Sequence, residues 1–379
     1  GPVEFNGSAG ADTLISNSGS SRFNYALSTD IQSGEVITGN GDANFIMLKG
    51  IAGTSYDFSG ALISGISAVD FSFGGGGTAT FSPTQVASYS GGFAQIFGST
   101  GTDTVTVSGS NISMTGMQFY LTGFGAWTPG TDLVILNGTS GNDTIYGSGV
   151  DDRIFGFDGD DVLGANYGAD YVDGGIGQDV VSYDTLGMPG ITVNLLLPAQ
   201  NTGEAANDTY VSIEGVRGTP SDDTITGTGS ANILQGANGA DHIFGLGGAD
   251  TIEGGYGDDT IDAGAGNDLI QATHELDGSD TINGGNGIDT LDYSAITSNN
   301  NIIVILNGST VVDVGIGGGN TDHISNIENI IGEPGIDTIT GDSLNNFLSG
   351  MGSADVLSGM GGDDTIEGGT GADILDGGT

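Results

Sequence analysis

The chain of 379 residues has no cysteine, four basic residues, three histidines and one tryptophan. Without cysteine there are no disulfides and no thiolate metal sites, which is silent on compartment beyond permitting an exterior location. Four Lys and Arg face 48 Asp and Glu, a formal charge of -44, so no basic surface exists to neutralise phosphates and nucleic acid is excluded as a partner. No apolar run reaches the length of a membrane span, which excludes insertion by a helix, and no signal peptide is visible. Gly1-Pro2 reads as the scar of a cleaved tag.

What is abundant is glycine, 74 residues of it. Glycine and acidity together ordinarily argue disorder. Here 36% of residues are hydrophobic and regularly spaced, so order that depends on a metal fits better than a solvated acidic coil.

The spacing is clearest in GGYGDDTID, Gly254 to Asp262, and returns in GGNGIDTLD, Gly284 to Asp292, and GGTGADILD, Gly368 to Asp376. The pattern is Gly, Gly, any, Gly, any, Asp, any, large aliphatic, any. Glycine costs about 1 kcal/mol per residue in a helix interior but accepts positive φ, so the first half is a tight loop. The short β-branched and aliphatic triplet that follows is one brief strand with a single inward side chain. Two nonapeptides make a coil of two strands on opposite faces, so the sixth residue recurs on the same edge, one strand spacing of about 4.8 Å further on. The carboxylates stack in columns.

Alone such columns are untenable. Two unit charges about 5 Å apart repel by roughly 3 kcal/mol at an effective dielectric of 20, and a column of them exceeds the ~5 to 15 kcal/mol that holds an ordinary domain. A divalent cation between them is required. Carboxylates plus loop carbonyls in a flexible, glycine-rich loop favour Ca²⁺ over Mg²⁺. The period and its letters resemble the repeats-in-toxin, or haemolysin-type, calcium-binding family, including its adhesin and surface-layer relatives. The resemblance implies an all-β parallel β-roll or β-solenoid with stacked Ca²⁺ sites.

Four regions are expected. Residues 1–137 read as an irregular β-solenoid with few calcium motifs: GSAGADTLI places Asp12 in the ligand position, GSTGTDTVT is a second copy, and GNGDANFIM is degraded, with Asn44 in place of Asp. Residues 138–217 open with five contiguous repeats carrying Asp143, Asp152, Asp161, Asp170 and Asp179, then a spacer with ITVNLLL and SIEGVRG. Residues 218–331 open with six, carrying Asp223, Asn232, Asp241, Asp250, Asp259 and Asp268, extended by Asp280 and Asp289, then a second spacer with NIIVILN and ISNIENIIG. Residues 332–379 carry Asp337, Asn346, Asp355, Asp364 and Asp373. The order of elements shows a duplicated module of roll plus spacer. Every Asp named here is a candidate calcium ligand, and pairing each repeat with the next but one gives roughly ten ions. One-step export, which the resemblance implies, usually goes with a non-repetitive C-terminal signal. None follows Gly377-Gly378-Thr379, so the sequence reads as a piece of a longer protein.

Phe119, Tyr120, Phe124 and Trp127 admit two readings, a stacking platform for sugar rings at Tyr120 and Trp127 or the core of the solenoid, and alternation along MQFYLTGF favours the core. Catalytic patterns are missing. HELDG at His274-Glu275 lacks the second His of a zinc-protease helix, no Gly-x-Ser-x-Gly elbow occurs, and His242 and His323 read as surface residues. A polysaccharide lyase or epimerase would need cations near a uronate, yet Arg22, Lys49, Arg153 and Arg217 are scattered. The reading is non-enzymatic: an extracellular, calcium-folded structural or adhesive segment at a bacterial surface or in its matrix, with calcium ions and an extracellular polysaccharide or cell surface as partners. The alternative is the non-catalytic calcium- and polysaccharide-binding part of a secreted carbohydrate-active enzyme.

Overall fold

The computed structural model describes residues 3–16, 20–26, 28–31, 34–39, 44–64, 66–71, 75–86, 95–115, 117–120, 127–184, 189–272, 278–296, 301–316 and 320–379. Among these residues there are 39 β-strands and only short helical turns, and nearly all strand pairing is parallel. The all-β parallel roll and solenoid is the fold. Two compact units divide the chain: Gly1–Val181 with Glu204–Ile213, and Ser182–Gly203 with Glu214–Thr379.

The first unit begins with irregular coils. Val3–Asn6, Ser21–Tyr25, Asn44–Leu48, Ala68–Asp70, Gln95–Phe97 and Gln118–Tyr120 stack as one six-stranded parallel sheet, with coils of unequal length between partners such as Val3 opposite Ser21 and Ser21 opposite Asn44. Rings fill this part of the core. Phe23, Tyr25, Tyr56, Phe58, Phe71 and Phe81 are at most 2% exposed, and Phe58 stacks on Phe81 at 5.3 Å. Burying one such side chain contributes about 1.5–3 kcal/mol, so these coils hold together by apolar stacking.

From Thr144 onward the coils become regular. Thr144–Tyr146 pairs with Val162–Gly164, and Asp152–Asp158 pairs with Tyr171–Ile176, so consecutive nonapeptides alternate between two sheets and each strand meets the strand 18 residues on. The second unit repeats this arrangement. Thr224–Thr226, His242–Phe244, Thr260–Ala265 and Thr281–Asn286 follow one another in one sheet, and Ile233–Asn238, Thr251–Tyr256, Leu269–Gln271 and Thr290–Asp292 in the other. The aliphatic residue at position eight is buried in the coils up to the last two: Ile145, Ile154, Leu163, Ile225, Ile243, Ile252, Ile339 and Leu357 are all 0% exposed, whereas Ile366 is half-buried and Leu375 exposed. Glycine at position four makes the corner. Gly257 has φ +132°, and a Cβ there would strike the carbonyl of Gly239 in the preceding coil, so no other residue fits that stacking distance.

Both expected spacers contribute strands to the sheets. Thr209–Val211 pairs in parallel with Tyr171–Ile176, and Gly215–Arg217 with Ile233–Asn238. In the second spacer Asn320–Ser325 pairs with Thr281–Asn286, and Asn329–Ile331 with Thr290–Asp292. The apolar strands pair too, Thr192–Asn194 with Thr224–Thr226 and Ile303–Ile305 with Thr338–Thr340. The second spacer adds an antiparallel excursion, Val312–Ile316 running against both Ile303–Ile305 and Asn320–Ser325.

Candidate metal centre

Each regular loop delivers its position-six residue to the same place. Asp143, Asp152, Asp161, Asp170, Asp179, Asp223, Asp241, Asp250, Asp259, Asp268, Asp280, Asp289, Asp337 and Asp355 are at most 5% exposed. Asp364 and Asp373 are half-buried, as is Asp12. The buried carboxylates form one-way ladders. The N–H of Asp223 donates to Oδ1 of Asp241 at 2.7 Å, Asp241 to Asp259 at 2.8 Å, and Asp259 to Asp280 at 2.9 Å. On the opposite edge Asn232, Asp250, Asp268 and Asp289 form a second ladder, and Asp143, Asp161 and Asp179 form one in the first unit.

The ladder uses Oδ1 and leaves Oδ2. In Asp161, Asp170, Asp241, Asp250, Asp259, Asp268, Asp289, Asp355 and Asp364 the Oδ2 is buried with no hydrogen-bond partner. A desolvated, unpaired carboxylate oxygen is costly, and so many in a row require a common explanation. The space beside them is lined by acceptors. A Cβ added to position-one glycines Gly236 or Gly245 would run into the Oδ2 of Asp241 or Asp250 and into the carbonyl oxygen of Gly254 or Ala263 in the next coil. Only oxygens converge there, which fits a hard cation such as Ca²⁺. Among the described residues no three His, Asp or Glu side chains gather into one compact cage. The donor set is therefore one carboxylate per coil plus main-chain carbonyls.

Burial sets the acidity of these groups in the absence of a cation. Desolvation lifts Asp241 to about 8, Asp250 to about 7, and Asp259 and Asp289 to about 6, with neighbouring carboxylates adding to the rise. Asp152 and Asp170, facing one another across adjacent coils, are also raised, chiefly by burial. A cation would relieve that cost, and binding would expel protons.

A second class of position-six residue already has its partners. Asp143 Oδ2 accepts from the N–H of Thr139 at 2.5 Å and from its hydroxyl at 3.0 Å. Asp152 is capped in the same way by Ser148, and Asp223 by Thr219. The expected ligand Asp12 stands apart from the ladders, its Oδ2 taken by the N–H and hydroxyl of Ser8. Asp103 and Asp132 in the irregular coils are capped by Ser99 and Thr128. Asn232 and Asn346 fill their places differently, each turning its Nδ2 onto a main-chain oxygen one coil back, of Glu214 and Glu328 respectively, at 2.8 Å. The amide brings a hydrogen-bond donor to a place where the aspartates bring only oxygens.

Three ladder members lie in the supposed spacers. Asp170 N–H donates to Asp208, Asp280 N–H to Asp322, and Asp289 N–H to Glu328 Oε2. The signal was present for two of them: GEAANDTYV repeats the Asn-Asp-Thr-x of GNDTI, and GGGNTDHIS matches the nonapeptide with Asn for the third Gly. Glu328 stands at the same backbone position as Asp289, two residues before an inward aliphatic, since Leu291 pairs with Ile330; the motif missed it because Glu replaces Asp and no glycine loop precedes it.

The sugar-platform reading of Trp127 is corrected. The ring is 1% exposed and packs edge-on against Phe119 at 4.8 Å, so it offers no face to a ligand. The side chains of Tyr120 and Phe124, and His274-Glu275, lie outside the described residues. His242 is exposed on a strand, and His323 Nδ1 meets Asp313 Oδ1 at 2.8 Å on the surface. Arg22 pairs with Glu4 at 3.7 Å and Arg217 with Asp184 at 3.4 Å, both partly exposed. Among the described residues no helix is long and apolar enough to cross a membrane.

Comparison with curated proteins returns no match. A family model described as RTX calcium-binding nonapeptide repeat (4 copies) matches residues 137–166, 151–181, 217–252, 235–270, 276–292, 324–357, 331–366 and 349–379. These stretches carry most of the Asp ladders, and over them the chain consists of RTX calcium-binding nonapeptide repeats.

Proposed function

We propose that the unpartnered Oδ2 atoms of the position-six aspartates are the calcium ligands, roughly ten ions being held between successive coils. The row of buried carboxylate oxygens without donors supports this most directly. When bound, calcium supplies the charge that neutralises the stacked carboxylates. The chain's own part is to desolvate those oxygens, fix Oδ1 in the ladder, and keep position one to Gly or Ala, as at Gly236 and Ala263.

We extend this to an extracellular role as a calcium-folded structural and adhesive segment at a bacterial surface or in its matrix. Extracellular calcium modules bind with dissociation constants of about 10⁻⁴ to 10⁻³ M, so such a roll stays unfolded in cytosolic calcium and folds outside. The chemistry supports a scaffold more than a catalyst, because ligands and scaffold are the same residues. Circular dichroism of the full chain in EDTA and during calcium addition tests the first part. A roll that is equally folded in both refutes it. Retention of the chain on bacterial cells or extracted matrix in 1 mM calcium, released by EDTA, tests the second; indifference of retention to calcium refutes it.

A further inference from the structure

The two classes of aspartate correspond to two loop conformations, and position two separates them. Where Oδ2 is unpartnered, position two has positive φ at every such aspartate but Asp337, which has Glu333 there, and this holds for side chains that resist it: Phe157 (+80°), Leu246 (+72°), Met351 (+63°) and Met360 (+70°) precede Asp161, Asp250, Asp355 and Asp364. Non-glycine residues avoid this region, so something outside the loop's own preferences holds it there. Where position two is Ser or Thr in the regular coils, it is not in the left-handed region, and its N–H and hydroxyl close on the position-six oxygens. The two states exclude one another. An N–H turned toward Oδ2 occupies it, and an N–H turned away leaves the oxygen for a cation.

We propose that position two decides whether a coil takes calcium, and that Ser or Thr there makes the coil metal-independent. This rests on the reading of the unpartnered oxygens as calcium ligands. The placement of these coils gives the rule a use. Thr139 and Ser148 open the first run, and Thr219 and Thr228 open the second, so each of these stacks starts from two coils that the protein closes by itself. Metal-dependent coils then build on a surface that is already ordered. Calcium has no need to create the first coil, which is the costly step in any stacked repeat.

A near-identical pair within one ladder supplies the test. GTGSAN, Gly227 to Asn232, is closed, and GLGGAD, Gly245 to Asp250, is open; before position six they differ only at positions two and four. The N–H of Asn232 donates to Asp250 Oδ1 at 2.8 Å, so both loops lie on the same edge. Leu246→Thr in the full chain gives the open loop the position-two residue of the closed one while keeping Asp250, and keeping Gly248, where an added Cβ would strike the main chain at Ser230. Leu246→Gly keeps the open conformation and controls for loss of the leucine side chain.

Calcium stoichiometry by isothermal titration and melting in excess EDTA are the readouts. Leu246→Thr is expected to bind one ion fewer than the parent and to melt higher in EDTA, with Leu246→Gly binding the parent's number. A Leu246→Thr chain that binds the parent's number overturns the position-two rule. A Leu246→Gly chain that also loses an ion overturns it too, since the leucine itself would then be responsible. A parent chain that binds no calcium sinks the calcium reading instead, a separate result.

Discussion

Replacing Asp259 by Asn separates the two jobs of its carboxylate. The amide oxygen still accepts from the N–H of Asp241, a contact of 2.8 Å in the native ladder, so the main-chain geometry is kept. The charge is lost. Asp259 is 1% exposed, and burial, helped by Asp258 and Asp322, raises it to about 6 from an ordinary 3.8. Above pH 6 the ionised form therefore costs the metal-free fold up to about 3 kcal/mol at 1.36 kcal/mol per pH unit, and Asn removes that cost. With calcium present the balance changes. An ion bound with a dissociation constant of about 10⁻⁴ to 10⁻³ M contributes about 1.4–2.7 kcal/mol at ~10 mM calcium, and Asn forfeits it. The expected outcome at pH 8 is a residual β signal in EDTA no weaker than that of the parent, with a calcium-induced gain in stability smaller by that amount and a less steep titration by circular dichroism. An unchanged calcium-induced gain would show that Oδ2 binds no ion. Equal destabilisation in both media would show that Asp259 serves only the ladder.

Other outcomes follow from the same features. In EDTA the roll should lose stability as pH rises from about 4 to 8, because Asp241, Asp250 and Asp289 have folded values of about 8, 7 and 6, above their unfolded value; stabilisation by the bound proton is complete below the unfolded value and disappears as pH passes each folded one. A flat melting series over that range would contradict it. Trp127→Ala should cost about 3–5 kcal/mol by leaving a cavity beside Phe119, measured by denaturation in calcium; a loss below 1 kcal/mol would return the ring to the surface. Asp208→Ala and Asp322→Ala should each lower the protection of the preceding ladder amide, Asp170 or Asp280, in hydrogen exchange, whereas Asp12→Ala leaves the ladders untouched. Hydrogen exchange in EDTA should leave the aromatic-cored strands before residue 137 better protected than the regular coils after it; uniform protection throughout would make calcium incidental to folding.

The regular coils were legible because one constraint fixes each letter. Position eight is aliphatic since it faces inward, and position six is acidic since it enters the buried ladder, so Ile252 and Asp250 are readable from spacing. The excursions were less legible. A coil keeps its register however many residues are looped out of it, so a strict nine-residue count loses Asp208 and Asp322 although their local sequences fit. Glu328 was hidden because a longer acidic side chain does the same job from the same backbone position without the glycine loop before it. Trp127 was ambiguous because a ring that stacks on sugar and a ring that caps a core look alike in sequence, and only burial decides. The division of loops by position two was invisible, since Thr and Leu at a variable position carry no meaning until φ is known.

The ladder's direction has a consequence for how the stack can be shortened. Each position-six N–H donates forward in sequence, from Asp223 to Asp241 to Asp259 to Asp280 to Asp322, where the Tyr293 hydroxyl donates to the final carboxylate. Beside it the main chain runs the other way: position-seven N–H groups donate back to the position-six carbonyl of the previous coil, His242 to Asp223, Thr260 to Asp241 and Thr281 to Asp259, each at 2.8 Å. Trimming coils from the trailing side strands a position-six amide hydrogen, and trimming from the leading side strands a position-seven one. A shortened roll therefore needs a cap on either face.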